Sequence, residues 1–294
     1  MSTVLEVLRP GFLLRDALVA SVLIGAVCPL VGVYFVLRRM IFLGVALPQL
    51  SAAGIAFALL IHRMTIGPHA HGDAVDAILA RGGATVFTLG GILVLAALER
   101  RGRQIVEARI GMVYVVAGAL TILFLAADPW GEAQIVNLLK GELLAATEKS
   151  LAFLAVVLGA VILAVLAFQK EFLLVSFDRD LAVVFGKRVG AWDTLLYVLC
   201  GITISFGVLA AGPLVTFGFL LAPPLTARML TRRMLTFSIA SAVIGAVSAF
   251  VGFCAAYRYD MPLGPSEVAV SAAVLLVVAG LRSLRRRMAV LRPA

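Results

Sequence analysis

The sequence predicts an all-α integral membrane protein that forms a single transmembrane domain over residues 1–294. Nine apolar stretches separated by short charged connectors fill nearly all of the chain, of which 62% is hydrophobic and only 14% charged. An average soluble domain has roughly half and roughly a quarter, respectively. A helix needs about 20 apolar residues to cross a bilayer, because lipid offers no partner for an unpaired backbone amide. The stretches are therefore interpreted as transmembrane helices.

The predicted spans are nine in number and lie at 13–37, 43–61, 82–98, 108–127, 150–168, 193–210, 213–229, 234–256 and 266–282. The second contains Pro48, and the seventh contains or borders Pro213, Pro223 and Pro224. Both are also short, and proline removes a backbone donor from a helix. A broken or re-entrant segment is therefore the alternative at these two places, and eight crossings is the alternative count.

The basic residues predict the direction of the chain, since Lys and Arg near span ends are retained on the cytoplasmic side. The connectors after spans one, three, five and seven, together with the C-terminal segment, hold 18 of the 25 Lys and Arg residues. The N-terminus is therefore predicted outside and the C-terminus in the cytoplasm. The net charge of +9 lies at span ends instead of on a soluble basic face, which excludes nucleic acid and leaves membrane lipid as the partner of these charges.

The chain has no motif for hydrolysing a nucleotide or for catalysis. It contains no Gly-x4-Gly-Lys-Ser/Thr phosphate loop, no His-Glu-x2-His and no Gly-x-Ser-x-Gly, so no catalytic residue is predicted. The charged residues Arg15, Asp16, Glu107 and Arg109 sit at span ends, and the span interiors are expected to hold only Ser, Thr, Gln and Cys as polar groups. An intramembrane enzyme and a gradient-driven secondary transporter both need ionisable groups within spans. The pattern therefore favours a transport subunit that is driven by another protein.

The predicted cytoplasmic connector 169–192 contains a short helix with an apolar face. Asp178 is placed to cap a helix that begins near Arg179, and Gly186 is placed to end it. An exposed apolar helix on the side where ATP is available suits docking of a partner protein, with Phe177 and Ala182 on the same segment. The alternative is a helix that rests on lipid headgroups.

The order and spacing of several motifs resemble the permease subunit of the zinc/manganese/iron family of ABC importers, over almost the whole chain. The matching segments are Val36-Leu37-Arg38-Arg39-Met40, Glu107-x2-Ile110-Gly111, Gly141-Glu142-Leu143-Leu144-Ala145, Ser176-Phe177-Asp178-x3-Ala182-x3-Gly186, Gly212-Pro213-Leu214-Val215 and Leu221-Ala222-Pro223-Pro224-Leu225-Thr226-Ala227-Arg228.

This resemblance implies an ABC importer permease fold in the cytoplasmic (inner) membrane of a bacterium. It implies a pair of permeases, as a homodimer or as two related chains, and a cytoplasmic ABC ATPase gripping segment 172–190 of each, at Phe177, Asp178, Ala182 and Gly186. An extracytoplasmic metal-binding protein would deliver the cargo, a divalent zinc, manganese or iron ion. No cofactor is expected on this chain, because ATP belongs to the partner subunit.

The sequence departs from the family pattern after Arg-Arg-Met, where the family usually continues Gly-Asp-x3-His. Val45 and Gln49 stand where the Asp and His would be, and neither valine nor an amide is a strong metal ligand. The cargo is therefore either a bare ion in a weakly liganding passage or a metal chelate. Gln49 and Ser51 are the polar residues predicted to line the passage, with a hydrogen bond from Gln49 to a neighbouring helix as the alternative.

The predicted extracytoplasmic loop 62–81 contains all three histidines, His62, His69 and His71. His69, His71 and Asp73 are spaced two apart, and imidazole and carboxylate groups so placed are able to converge on one zinc-type ion. We expect a weak, exchangeable metal site at the entrance, and an ordinary solvated loop is the alternative.

Overall fold

A computed structural model describes residues 14–66, 73–99, 106–127 and 148–290. Over these residues the chain is helical and contains no strand. The helices are, in chain order, α1 Arg15–Leu37, α2 Ile41–Ile66, α3 Asp73–Glu99, α4 Val106–Ala126, α5 Glu148–Ala167, α6 Gln169–Phe177, α7 Arg179–Val184, α8 Val189–Leu230, α9 Met234–Tyr259 and α10 Leu263–Val290.

Eight of these helices are long and apolar enough to cross a membrane, which confirms the predicted all-α membrane class. The helix α8 accounts for the difference from nine. Its 42 residues would extend over about 63 Å if straight, twice the roughly 30 Å of a bilayer core. The backbone leaves helical geometry at Gly212, with φ 83° and ψ 165°, a conformation in which a side chain would be strained.

The two halves of α8 fold back on each other at Gly212. A side chain added at Gly207 would lie 3.0 Å from the Thr216 side chain, whereas nine residues of straight helix separate their ends by about 13 Å. The two halves are thus the two separate spans predicted at 193–210 and 213–229. The eight long helices therefore contain nine membrane-crossing segments, because α8 contributes two of them.

Contacts with α1 show that α8 returns to the side from which it started. Asp193, near the beginning of α8, bonds Arg38 just after the C-terminal end of α1. Leu220, in the second half of α8, has its backbone carbonyl against Gly32 of α1, and Ala227 clusters with Val33. Both ends of α8 therefore lie near the C-terminal end of α1, and the turn at Gly212 lies away from it.

The helix α1 forms the centre of the molecule, with 15 of its 23 residues buried. It packs against α8 and α9, and Gly25 and Gly245 allow a close approach of α1 to α9, since a side chain on Gly245 would collide with the Gly25 carbonyl oxygen. By contrast, α4, α5 and α10 are mostly exposed and carry large apolar side chains on their surface. Such a surface is expected where the solvent is lipid.

The connection between α2 and α3 is much shorter than the predicted extracytoplasmic loop 62–81. The helix α2 continues to Ile66 and α3 begins at Asp73, which leaves only residues 67–72 between them. Helices of 26 and 27 residues are longer than the roughly 20 that the hydrocarbon core requires. We therefore expect their ends to extend as helix beyond the hydrocarbon core. The structure also carries α2 through Pro48 without a break, so this span is not interrupted.

Candidate functional site

The short helix α7 has the predicted boundaries and caps. Asp178 accepts a hydrogen bond from the Leu181 amide with its Oδ1 atom at 2.9 Å. At the other end Gly186 adopts φ 70°, the Gly186 amide bonds the Val183 carbonyl and the Lys187 amide bonds the Ala182 carbonyl. These two bonds are a Schellman termination, which a glycine at this position favours. The local structure read from the sequence is thus confirmed, whereas the docking role stays a prediction.

The docking surface consists of the apolar side chains that α7 and its flanks expose, namely Phe177, Leu181, Val183, Val184 and Phe185. Phe177 is 63% exposed, Phe185 65% and Val184 80%. Of the four predicted docking residues, Phe177 belongs to this surface, Asp178 caps the helix, Ala182 is buried and Gly186 ends the helix. An apolar surface of this kind on a polar connector is typical of a site for a protein partner.

A buried arginine fixes the docking segment to the transmembrane helices. Arg38 donates from Nη1 to Asp193 Oδ1 of α8 at 2.7 Å and from Nε to Ser176 Oγ of α6 at 3.0 Å. The Arg38 and Asp193 side chains are only 6% and 8% exposed. Arg179, the first residue of α7, approaches Asp193 Oδ2 at 3.3 Å. One arginine thus joins α1, α6 and α8, and Asp193 extends the network to α7.

Aromatic packing holds the docking segment from its other side. The fully buried Phe172 of α6 lies 5.8 Å from the Tyr34 ring of α1 and 6.0 Å from the Trp192 ring of α8, in both cases edge to face. Phe168 lies 5.3 Å from Trp192. Lys187 reaches Glu171 at 3.5 Å. Such ring pairs stabilise beyond their buried area by about 0.5–1.5 kcal/mol each. The segment is therefore a fixed part of the transmembrane body.

The two predicted passage residues on α2 do not lie together. Gln49 is half-buried and lies beside Gly118 of α4, and Val45, one turn earlier, is also half-buried. Ser51 is fully buried, and its Oγ has no hydrogen-bond partner among the described residues. Positions two apart on a helix face opposite sides, which explains the separation. That Gln49 lines the passage, on the helix face it shares with Val45, stays a prediction. That Ser51 lines the passage is a separate prediction.

The predicted entrance site falls mostly outside the described residues. His69 and His71 lie in 67–72, and Asp73 is described only as the first residue of α3. The third histidine of the region, His62, lies inside α2 instead of in a loop. Its Nδ1 atom is 3.2 Å from Asp76 Oδ1 of α3. No group of three or more His, Cys, Asp or Glu side chains converges on one point within the described part of the chain.

A buried carboxyl group contradicts the expectation that span interiors hold no ionisable residue. Glu267 lies in α10, within the candidate span Leu263–Arg285, and is fully buried. Ser21 of α1 donates to Glu267 Oε1 at 2.5 Å, while Oε2 has no hydrogen-bond partner among the described residues. Gly252 of α9 lies against the Glu267 backbone. The residue lies one position inside the predicted span 266–282, so the sequence itself already shows an ionisable residue within a span.

A family model for "ABC 3 transport family" matches residues 12–282, which is most of the chain. The chain belongs to this family. It is 24% identical over 277 residues to the probable iron transport system membrane protein of Haemophilus influenzae, covering 94% of this chain and 92% of that one. It is also 24% identical over 274 residues to the manganese transport system membrane protein MntC of Listeria monocytogenes, covering 93% and 92%.

The fold of this family member also matches a solved structure. The structure of PsaBC from Streptococcus pneumoniae in complex with Fab aligns with a TM-score of 0.78 at 22% identity, covering 94% of each chain. The all-helical arrangement described above is therefore the fold of that structure. The family and the eight apolar helices together make the chain a multi-pass membrane protein.

Proposed function

We propose that the chain is the membrane permease subunit of an ATP-driven importer for divalent metal cations, namely manganese, iron or zinc. Its membership of the ABC 3 transport family and the names of its iron and manganese relatives support this. The observation that carries the proposal is the docking surface on α7, exposed yet fixed to α1 and α8 by the buried Arg38. The permease itself has no enzymatic role, and a separate cytoplasmic ATPase hydrolyses ATP.

The partners follow from this role. Two permeases form the passage, a homodimer being the simplest arrangement, and one ATPase binds segment 172–190 of each. An extracytoplasmic metal-binding protein delivers the cation. The complex lies in the cytoplasmic membrane of a bacterium, with the N-terminus outside and the C-terminus inside. The alternation of basic connectors along the chain supports this orientation.

The contacts of Arg38 provide a route for force from the ATPases to the passage. When ATP draws the ATPases together, the docking surface moves with them. Arg38 joins α6 to α1 and α8, and Asp193 joins α7 to the same pair, so a displacement of the segment is passed to these two largely buried helices. Since both halves of α8 begin or end near Arg38, they move as one body. This motion opens the passage alternately to the two sides.

The nature of the cargo is a second question, because Val45 and Gln49 replace the Asp and His usual in the family. A half-buried valine and amide bind a bare cation weakly, which favours a metal chelate as the alternative cargo. Competition uptake with free manganese, iron and zinc ions and with their chelates separates the two. Inhibition by free ions alone supports the bare cation, and inhibition by chelates alone supports the chelate.

The test of the permease role is reconstitution into proteoliposomes with and without the cognate ATPase. We expect metal to accumulate in the proteoliposomes only when the ATPase, ATP on the side of the membrane that the ATPase faces, and the binding protein are all present. The permease alone should show none, with either a proton or a sodium gradient imposed. Gradient-driven uptake by the permease alone would overturn the proposal in favour of a secondary transporter.

A further inference from the structure

The helices α2 and α3 approach each other most closely at a pair of glycines. A side chain added at Gly54 would collide with the Gly83 carbonyl oxygen, and one added at Gly83 would collide with the Gly54 carbonyl oxygen. The two helices run antiparallel from this crossing to their short connection. His62 lies eight residues after Gly54 and Asp76 lies seven residues before Gly83. The close crossing therefore brings these two side chains to the same level.

His62 and Asp76 face each other without forming a hydrogen bond. Their Nδ1 and Oδ1 atoms are 3.2 Å apart, close enough for an ion pair. Both atoms are buried, yet neither has a hydrogen-bond partner of acceptable geometry among the described residues. The His62 side chain is 8% exposed and the Asp76 side chain 27%. A buried donor or acceptor without a partner destabilises the folded state, so an arrangement of this kind calls for a further partner between or beside the two atoms.

The separation of the two atoms matches a shared metal ion. Zn²⁺ binds imidazole nitrogen and carboxylate oxygen at about 2.0–2.2 Å, and two such ligands at a tetrahedral angle lie about 3.3 Å apart. We propose that His62 and Asp76 bind one divalent transition-metal cation at the predicted outer end of α2 and α3. Imidazole with carboxylate suits zinc, manganese and iron alike. Two protein ligands leave the other positions to water, so the ion exchanges readily.

This site lies on helices and uses other residues than the entrance ligands predicted at His69, His71 and Asp73. A role for the pair in capturing cargo rests on the proposed function, but metal binding by the chain does not. A cation delivered to this end of the molecule would meet two ligands already placed at the correct separation. The Gly54–Gly83 crossing fixes that separation before the ion arrives.

The test is zinc binding to the full-length chain in detergent, measured by competition with a chromophoric chelator. We compare the wild type with His62→Phe, which keeps the ring shape, and Asp76→Asn, which keeps the size of the side chain. Each variant should weaken binding at one site by at least tenfold. Asp16→Asn, which removes a carboxylate from the first turn of α1, is the matched control and should bind as the wild type does.

Gel filtration of each variant shows whether it remains folded, and Asp76→Glu provides a second variant that keeps the ligand chemistry. Retained binding in Asp76→Glu and lost binding in Asp76→Asn support the proposal. Unchanged binding in both His62→Phe and Asp76→Asn, or no zinc binding by the folded wild type, would overturn it and leave an ordinary ion pair. A double variant His69→Ala, His71→Ala that loses the same ion while His62→Phe keeps it also overturns it.

Discussion

Arg38 is the residue on which the placement of the docking segment depends. It is buried, and its contacts with Asp193 and Ser176 reach two other helices. Removing one partner of a buried ion pair typically costs about 3–5 kcal/mol, because the other charge is left without compensation. Lysine keeps the charge but lacks the planar fork that serves both partners.

We therefore expect Arg38→Ala to uncouple transport from ATP hydrolysis, and Arg38→Lys to do so less. The measurement is metal uptake per ATP hydrolysed in proteoliposomes, which should fall several-fold, together with the amount of ATPase bound. The control is Arg39→Lys, since Arg39 is exposed. An unchanged ratio of uptake to hydrolysis in a folded Arg38→Ala complex would contradict the coupling role.

Glu267 is fully buried within a candidate span and accepts a hydrogen bond from Ser21. A Gln side chain has the same shape and still accepts the hydrogen bond from Ser21, whereas Ala leaves the Ser21 hydroxyl without that partner. We expect Glu267→Gln to have nearly the wild-type unfolding temperature in detergent. Glu267→Ala should lose about 1–3 kcal/mol, roughly 2–10 °C. Collapse of the Gln variant would show that the carboxyl group itself is required.

At the scale of elements, the docking surface combines exposed apolar groups with a fixed backbone. Phe177 and Phe185 are large, exposed and at opposite ends of α7. Aromatic side chains in such positions often contribute 2 kcal/mol or more to binding, which corresponds to about a 30-fold change in affinity. The helix caps at Asp178 and Gly186 do not involve these rings, so the rings can be replaced without loss of the helix.

We expect Phe177→Ser with Phe185→Ser to weaken ATPase binding by at least tenfold and to abolish ATP-driven uptake. The chain should still insert and purify as the wild type does. The matched control is Leu284→Ser, which removes an equally exposed apolar side chain from the same predicted side of the membrane on α10. Equal ATPase binding by the double variant and the control would show that α7 rests on lipid headgroups instead.

The sequence predicted correctly those structural elements that depend on residues close together in the chain. The Asp178 cap, the glycine termination at Gly186 and the apolar spans were all read correctly, because each depends on residues within a few positions of one another. Packing between distant segments could not be read in this way. The Arg38–Asp193 pair joins residues 155 apart, and the Ser21–Glu267 bond joins residues 246 apart. The loop predicted at 62–81 was also too long, because the polar residues at the ends of α2 and α3 resemble loop residues in composition.

At the scale of the whole molecule, the orientation of the chain is a prediction that labelling can test. Phe185 and Tyr259 are exposed near opposite ends of the membrane helices. In a background without Cys28, Cys200 and Cys254, an impermeant maleimide added to right-side-out vesicles should label Tyr259→Cys and spare Phe185→Cys. Inside-out vesicles should give the reverse pattern. Labelling of Phe185→Cys from outside would place the docking surface where no ATPase could reach it.

The turn at Gly212 has a consequence for how the protein is made. Between Arg188 and Arg228 the chain carries no basic residue, and the two arginines flank the folded-back pair on the same side. The insertion machinery on the ribosome therefore meets no basic residue at the turn that would set the orientation of the chain. The reversal of direction depends on the backbone conformation at Gly212. We therefore expect the two halves to partition from the translocon into lipid together, as a helical hairpin. This segment would then insert in a single step, and a basic residue introduced beside Gly212 should act as a new topology signal that disturbs the hairpin.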